Sequence, residues 1–562
     1  MIETRQDANI SARLAGMAHG RPAQVAIAWP VGPATEGTRR AYQRLTFAEL
    51  SERVDRIGRG LIEWGVQPGQ RLALLVPYGP DFLTLVFGIL RAGASVVLVD
   101  PGAGRRQVVN CLAELQPAGF VAIPLAQLLR RLLSSRFAEA RWNVCVGRVT
   151  WGLGRSLSWL EQLGQASHAS FPVRQPDDEA AVIFTSGSTG PPKGVLYTHR
   201  VFATQVDLVA REYEIVDGQC DLACFPLFGL FDALHGITTI IPDMDSTRPA
   251  AADPVRLIDA IEQWKIEQAF GSPALWTAVL RHCKEHPRRL PSLRRVMSAG
   301  APVSTEILAG LRELTDPMAR IWTPYGATEA LPLAKIEANE VLDETAAATR
   351  TGGGICVGRF HPEVCSMIIA ITDDPISDWA KAEPLPVGEV GELLVSGPMV
   401  TPQYVTRLDQ NTLHKVNSPD GVVWHRMGDV GYLDDQGRFW FCGRKAHRVV
   451  TRDETLFSIP VEAVINTHPY VYRSALVGYG LPGQQRPVVI VEPWPEHRPK
   501  TPAELQSLLE QLQMLAQKFD ATRSIREFEV YPAGLPVDPR HNAKIIREQL
   551  ASWLMQRRSS SA

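Results

Sequence analysis

Hydrophobic and polar positions along the first 330 residues follow two alternating patterns. Between residues 45 and 65 apolar residues recur three and four apart, with Thr46 at the position of a helix N-cap and Gly65 where a helix would stop. Short apolar runs follow at 68–77 and 94–100, bounded by Gly, Pro and Asp, as is typical of buried strands. The order of helix and strand predicts βαβ units.

The strand pattern returns five times further along the chain. These predicted strands lie at 182–184, 222–225, 267–270, 295–298 and 321–324. Helical patterns separate them, so we predict an α/β fold with mostly parallel sheets flanked by helices.

The pattern changes after about residue 358. Short strands with frequent turn signals follow, including a hairpin turn at 435–437, and they predict a β-rich subdomain over about 358–443. Beyond it, helices and strands mix again. We therefore expect an N-terminal domain over 1–443 and a smaller, mobile α+β C-terminal domain over 444–562.

Composition supports this division. A chain of 562 residues is too long for one ordinary domain, and 45% hydrophobic with 21% charged residues excludes broad disorder. The 58 Lys and Arg against 60 Asp and Glu leave a net charge of −2, which provides no electrostatic reason to bind nucleic acid or an anionic membrane. An anionic ligand must therefore be held by a local site.

The spacing of the cysteines and the length of the apolar runs indicate the cellular compartment of the protein. No two of the eight cysteines have the two-residue spacing of a zinc site or a dithiol, and no apolar run is long enough to cross a bilayer, so we expect a cytoplasmic protein without a transmembrane segment. The segment 128–137 can be a basic amphipathic helix that touches a membrane or a solvated surface helix. Its short length and mid-domain place favour the solvated helix.

The stretch 182–194 is the most informative chemically. An apolar strand runs directly into a loop with three hydroxyl side chains, Gly187, Gly190 and Lys193. Such a loop can direct backbone N–H groups, hydroxyls and one ammonium at a polyphosphate. The order of residues differs from that of a Walker A loop, so the sequence predicts a different kind of nucleotide-phosphate clamp.

Residues 185–194 resemble the phosphate loop of the acyl-adenylate-forming superfamily. Further ordered matches to that family lie at 298–302, 325–329, 391–393, 427–429 and 443–444. The resemblance implies that a carboxylate and ATP, with Mg²⁺, give an acyl-adenylate and diphosphate. It also implies a mobile C-terminal domain that supplies the lysine of this step.

The resemblance assigns roles to individual residues. Tyr325 would stack on adenine, Glu329 would hold Mg²⁺, Asp429 and Arg444 would bind ribose, and Lys544 would neutralise charge at the reacting carboxylate. The catalytic residues implied are Lys544, Glu329, Thr185 and Lys193. The nucleotide-binding residues implied are Thr185, Ser186, Gly187, Ser188, Thr189, Gly190, Lys193, Gly300, Ala301, Pro302, Tyr325, Gly326, Ala327, Thr328, Asp429 and Arg444.

Three more stretches, at 224–231, 241–250 and 443–449, resemble one subgroup, the OleC-type β-lactone synthetases of bacterial long-chain olefin biosynthesis. This implies a 2-alkyl-3-hydroxy fatty acid substrate whose own hydroxyl attacks the activated carbonyl. Candidate acyl-pocket residues are Phe225, Phe228, Phe231 and Phe270. His199, His235 and His447 are visible as bases for the hydroxyl, but none of them can be assigned.

Two other functions stay open. A long-chain acyl-CoA ligase would use the same first step, and a non-catalytic nucleotide-binding scaffold would share the fold. Ala446 and His447 at the hinge, and a segment before Pro460 without the usual glycine, depart from the thioester-forming pattern. The subgroup resemblance also implies assembly with a β-lactone decarboxylase and a reductase of the same pathway.

Overall fold

The structure is a computed structural model and describes residues 7–32, 39–185, 190–537 and 545–561. It contains two large sheets flanked by helices and a smaller C-terminal sheet. The predicted α/β class is confirmed. A membrane-crossing helix is not found in the part of the chain that the structure describes.

The first large sheet has seven strands among the described residues. All neighbouring strands are parallel except the last pair. In spatial order they are Arg155–Ser156, Trp142–Cys145, Gly119–Ala122, Arg71–Leu75, Ser95–Leu98, Glu179–Phe184 and Gly194–Thr198. The helices around this sheet are Phe47–Trp64, Pro80–Arg91, Arg105–Leu115, Pro124–Leu132 and Leu157–Ala166.

The second sheet is longer and mixed. Its parallel half, in spatial order, comprises Arg320–Ala327, Arg295–Ser298, Gln268–Gly271, Cys220–Ala223, Thr238–Ile240 and Val25–Val31, with Ala41–Thr46 antiparallel at the edge. Helices of this region are Arg13–Gly20, His199–Glu212, Pro226–His235, Pro254–Trp264, Pro273–Glu285 and Thr305–Leu314.

The predicted β-rich region continues this same sheet. Its antiparallel strands extend outward as Ala330–Glu337, Ile355–Phe360, Arg438–Arg444, Val423–Leu433, Gly391–Ser396 and Cys365–Ile369, with Lys415–Asn417 beside Val423–Leu433. Short helices in the same region are Ala338–Glu340, Ala346–Arg350 and Asp409–His414. The predicted hairpin is confirmed, because Val423–Leu433 pairs with Arg438–Arg444 across a turn that places Gly437 at φ +72°.

The C-terminal region has its own core. Strands Val471–Tyr479, Arg486–Pro493 and Glu527–Val530 form its sheet, and the short pair Val449–Val450 and Thr455–Leu456 precedes it. Helices Ser458–Ile465, Pro502–Ala516 and Arg547–Ser561 complete the region. Leu476, Val489 and Leu512 are fully buried there. Two statements stay predictions: that the two domains meet between residues 443 and 444, and that the C-terminal domain is mobile.

Local sequence signals explain where elements begin and end. The Thr46 side chain accepts from the Glu49 backbone, the Glu49 carboxylate accepts from the Thr46 backbone, and Gly65 ends the helix at φ +104°. Carboxyl ends of parallel strands from both large sheets meet at one cavity of about 2010 Å³. Ligands of open α/β sheets bind at such edges, so this cavity is the natural place for a site.

Candidate active site

The cavity brings together the predicted site residues that the structure describes. Those that line it are Thr185, Gly190, Lys193, Gly300, Ala301, Pro302, Tyr325, Gly326, Ala327, Thr328, Glu329, Asp429, Arg444, Phe225, Phe228, Phe231 and Phe270. The predicted residues Ser186, Gly187, Ser188, Thr189 and Lys544 lie outside the described residues. The roles of all these residues stay predictions at this point.

Thr185 and Lys193 mark the two sides of the phosphate loop. They follow and precede two antiparallel strands, so the backbone hydrogen bonding of the hairpin holds the loop ends together. The Thr185 N–H donates to the Lys193 carbonyl at 3.0 Å, and the Lys193 N–H donates to Thr185 Oγ1 at 3.1 Å. The loop therefore has a fixed base at the edge of the cavity.

The Lys193 ammonium lies in an aromatic and imidazole environment. Its Nζ is 4.9 Å from the centre of the Tyr404 ring and 3.3 Å from His414 Nε2. Burial lowers the pKa of Lys193, and the negative charge of Glu329 partly opposes that shift. An incoming phosphate would stabilise the charged form of this lysine.

Glu329 is buried and oriented by its neighbours. The Tyr404 hydroxyl donates to Glu329 Oε1 at 2.8 Å, and the Glu329 carbonyl accepts from the Thr401 N–H at 2.9 Å and its hydroxyl at 3.0 Å. Lys415 Nζ donates to the Thr401 carbonyl at 2.6 Å. Burial lowers the pKa of Lys415 to about 7, against the opposing effect of Glu329.

Sequence reasoning missed Tyr404, His414, Lys415 and His425. Tyr404 reaches the site because its segment pairs with the strand Gly194–Thr198, more than 200 residues earlier, while Lys415 pairs directly with His425 in the neighbouring strands. His425 is fully buried beside His414, whose carbonyl lies 3.1 Å from His425 Nδ1. The long-range pairing brings Tyr404 to the histidines and the lysine, and no local motif in the sequence indicates it.

Another part of the cavity wall is built by the hairpin of Val423–Leu433 and Arg438–Arg444. The strand register places Asp429 directly across from Arg444, and their side chains form an ion pair at 3.0 Å. The Tyr325 hydroxyl donates to Asp429 Oδ2 at 2.5 Å. Burial and then the Asp429 charge raise the pKa of Tyr325, so its phenol stays protonated and its ring orientation is fixed.

The predicted acyl-pocket residues form one aromatic cluster. The Phe228 and Phe270 rings stack 4.2 Å apart at 19°, and Phe225 lies 5.9 Å from Phe270. Phe231 is buried and lies 6.1 Å from Phe228. Aromatic walls of this kind suit an alkyl chain.

A buried polar cluster lies behind these aromatic residues. The Asp221 and Asp232 carboxyls are both buried and close enough to influence each other's charge, and Gln268 Nε2 donates to Asp232 Oδ1 at 3.5 Å. Burial raises the pKa of Asp221 to about 7, and burial together with the Asp221 charge raises the pKa of Asp232 well above its ordinary value. Two negative charges in one buried place oppose each other, which favours the binding of a proton by the pair. The buried Tyr78 lines the cavity, and the charges of Asp232 and Asp221 contribute to raising its pKa.

The three histidines considered as bases differ in their partners and in whether they line the cavity. His199 Nδ1 accepts from the Ile10 N–H at 3.3 Å, and His235 Nε2 lies 2.9 Å from the Val206 carbonyl. Of the three, His447 lines the cavity. Burial first, and then Arg547 and Arg444, lower the pKa of His447 to about 4, so it is neutral at pH 7.

A family model described as AMP-binding enzyme matches residues 16–405, or 390 of the 562 residues. The chain belongs to the AMP-binding enzyme family. The resemblance drawn from the phosphate loop is therefore confirmed.

Two relatives of this AMP-binding enzyme match nearly end to end. The olefin beta-lactone synthetase of Xanthomonas campestris pv. campestris is 44% identical over 556 residues, which cover 98% of each chain. The protein of the same name from Stenotrophomonas maltophilia is 44% identical and covers 97% of this chain and 98% of its own. Both matches include the C-terminal region beyond residue 405.

A solved structure supports the fold. The amide bond synthetase McbA from Marinactinospora thermotolerans superposes with a TM-score of 0.75 at 23% identity, covering 97% of this chain and 99% of its own. At that identity the likeness concerns the fold alone.

Proposed function

We propose that this AMP-binding enzyme is an ATP-dependent β-lactone synthetase that acts on a long-chain 2-alkyl-3-hydroxy fatty acid in olefin biosynthesis. The observation that carries the proposal is the 44% identity to proteins named olefin beta-lactone synthetase over almost the whole chain. The cavity agrees with it, because phosphate-side, ribose-side and aromatic residues line one continuous space.

In the first step, a carboxylate oxygen of the acid attacks the α-phosphorus of ATP and diphosphate leaves. Tyr325 would face adenine, while Asp429 would accept from the ribose hydroxyls. Thr185 and Lys193 would bind phosphate oxygens with a hydroxyl and a cation, and Thr328 would add a hydroxyl. The base of the loop described above supports this assignment.

Lys544 would stabilise the charge that develops between carboxylate and α-phosphate. Support comes from its neighbour in sequence, because Ile545 lines the cavity and pairs with Val537 across the segment that contains Lys544. Arg547 also lines the cavity, where it forms a buried ion pair with Glu462 at 2.8 Å.

One acidic residue of this site, Glu329, is suited to hold Mg²⁺. Glu329 presents a hard carboxylate beside Lys193, and the described residues contain no group of three or more His, Cys, Asp and Glu side chains around it. Glu329 would thus hold the ion together with phosphate oxygens of ATP. The ion, when bound, would neutralise phosphate charge.

In the second step, the 3-hydroxyl oxygen attacks the acyl-adenylate carbonyl, the hydroxyl proton is lost, and AMP leaves as the four-membered ring closes. The nucleophile belongs to the same molecule, so orientation by the pocket replaces a second binding site. The aromatic cluster around Phe228 and Phe270 would fix the alkyl chains during closure.

Product identification tests this function. The enzyme is incubated with ATP, Mg²⁺ and a 2-alkyl-3-hydroxy acid, with and without CoA, and products are identified by NMR below the temperature of β-lactone decarboxylation. We expect β-lactone and AMP in both reactions. Acyl-CoA without β-lactone would instead identify the long-chain acyl-CoA ligase. A cytoplasmic location and assembly with the decarboxylase and the reductase remain predictions.

A further inference from the structure

The helix Pro124–Leu132 packs with its apolar residues facing outward. Leu125 and Leu132 expose 61% and 73% of their surface, and Leu128 and Leu129 are exposed as well. The spacing of these four residues places them on one helical face. A face of four exposed leucines on a helix beside a buried sheet is unusual for a protein surface in water alone.

The inward side of this helix is polar and satisfied. Gln127 is fully buried, and its Nε2 donates to the carbonyls of Phe120 at 2.9 Å and Val144 at 2.8 Å. The two carbonyls belong to neighbouring strands of the seven-stranded sheet. The amide thus fixes the rotation of the helix about its axis, so the leucines cannot turn inward without breaking buried hydrogen bonds.

A neighbouring loop carries two more exposed apolar side chains. Arg130 Nη2 donates to the Leu153 carbonyl at 3.1 Å and ties the loop 147–153 to the helix. Within that loop Val149 is exposed, and Trp151 exposes 64% of its surface with φ +47°. A bulky residue rarely adopts that backbone conformation. We call the four leucines Leu125, Leu128, Leu129 and Leu132 the outer apolar face.

The segment of the chain that carries the outer apolar face is strongly basic. Residues 101–155 contain eight arginines and two glutamates and no lysine or aspartate, so their formal charge is 8 − 2 = +6 in a chain whose net charge is −2. Of these arginines, Arg131 and Arg136 are exposed on or directly after the helix. The near-neutral total therefore conceals one basic region.

The outer apolar face also continues into the cavity. Leu125, Ala126 and Leu129 line the same cavity as Phe228 and Phe270. A face of exposed leucines, with exposed arginines on and directly after the same helix, matches the interfacial layer of a bilayer, where apolar side chains insert and arginines meet lipid phosphates.

We propose that the outer apolar face docks on an anionic lipid bilayer and places the cavity next to the membrane from which a long-chain acid enters. This rests on the proposed function only for the identity of the acid. A single helix with exposed leucines and a surrounding excess of arginine favours a bilayer over a protein partner, since a protein interface of that charge would need an acidic counterpart of defined shape.

Vesicle sedimentation of the full chain tests the docking. Phosphatidylcholine vesicles and vesicles with an equal amount of phosphatidylglycerol are compared without ATP. We expect binding to the anionic vesicles, weakened by about tenfold or more in Leu128→Ser/Leu132→Ser and weakened in Arg131→Glu. The control variants Leu481→Ser and Arg320→Glu change exposed residues elsewhere and should bind as the unmodified chain does.

Two results would overturn the proposal. One is that all variants bind the anionic vesicles equally well, while their thermal unfolding is unchanged and shows that they are folded. The other is no binding of the unmodified chain to the anionic vesicles. A mass in light scattering that falls in Leu128→Ser/Leu132→Ser would then assign the face to a second copy of this chain. Because these assays contain no ATP or acid, their outcome is independent of whether the enzyme forms β-lactones.

Discussion

The Tyr404 hydroxyl donates a 2.8 Å hydrogen bond to Glu329, and the face of the same ring lies 4.9 Å from the Lys193 ammonium. One aromatic side chain thus connects the carboxylate proposed to hold the metal and the lysine proposed to bind phosphate. Its two contacts keep opposite charges separated and oriented before ATP arrives.

Tyr404→Phe should separate these two functions. The ring and its contact with Lys193 stay, while Glu329 loses a hydrogen bond worth about 1.5–3 kcal/mol. We expect a ten- to hundredfold fall in diphosphate release and an increased requirement for Mg²⁺, measured at saturating acid. Tyr470→Phe, a change at an exposed tyrosine of the C-terminal region, serves as the control. An unchanged Mg²⁺ titration would remove Tyr404 from the metal site.

Lys544→Ala should abolish adenylation while ATP binding persists. The reason is that this lysine is proposed to stabilise charge present only in the transition state. ATP binding is measured by calorimetry and AMP formation by chromatography. Lys518→Ala, at an exposed lysine in the same region, should leave both unchanged. Normal AMP formation by Lys544→Ala would exclude the lysine from the mechanism.

Phe228→Ala should change how the KM depends on the alkyl chain length of the acid. The stack on Phe270 disappears, and a loss of apolar contact of about 1.4 kcal/mol corresponds to about tenfold in affinity. We expect the KM to rise for long-chain 3-hydroxy acids and to change little for short ones. Phe519→Ala, a change outside the cavity, should alter neither value. An equal rise for both chain lengths would place the alkyl chain elsewhere.

The buried pair Asp221 and Asp232 predicts a pH dependence of stability. Their pKa values are raised in the folded protein, so the folded state binds more protons than the unfolded state above about pH 4. The free energy of unfolding should therefore fall as the pH rises from about 4 to 7 and beyond. Asp232→Asn keeps a neutral partner and should flatten this slope in thermal unfolding from pH 5 to 8. A slope as steep in the variant as in the unmodified chain would show that the pair does not share a proton.

Local signals predicted much of the fold. Thr46 and Gly65 bound their helix because a capping box and a left-handed glycine are encoded within a few residues. The Tyr404 cluster could not be predicted, since it depends on strand pairing across more than 200 residues. The periodicity at 128–137 indicated an amphipathic helix, but only the contacts of Gln127 reveal that its leucines face outward.

The near-neutral net charge predicts a local anion site, but it hides the basic region at 101–155. A sum over the chain carries no information about where charges lie, and eight arginines in one region are compensated by acidic residues elsewhere. The sequence could have revealed this region if charge had been counted segment by segment.

The most direct test of the proposed reaction follows the carboxylate oxygen atoms of the acid into the products. A 2-alkyl-3-hydroxy acid labelled with ¹⁸O in both carboxylate positions is converted with ATP, and AMP and β-lactone are examined by mass spectrometry. Attack of the carboxylate on the α-phosphorus predicts one ¹⁸O in AMP and one in the lactone carbonyl, with an unlabelled ring oxygen from the 3-hydroxyl. Unlabelled AMP together with two ¹⁸O atoms in the lactone would show that the hydroxyl is activated instead and would contradict the account.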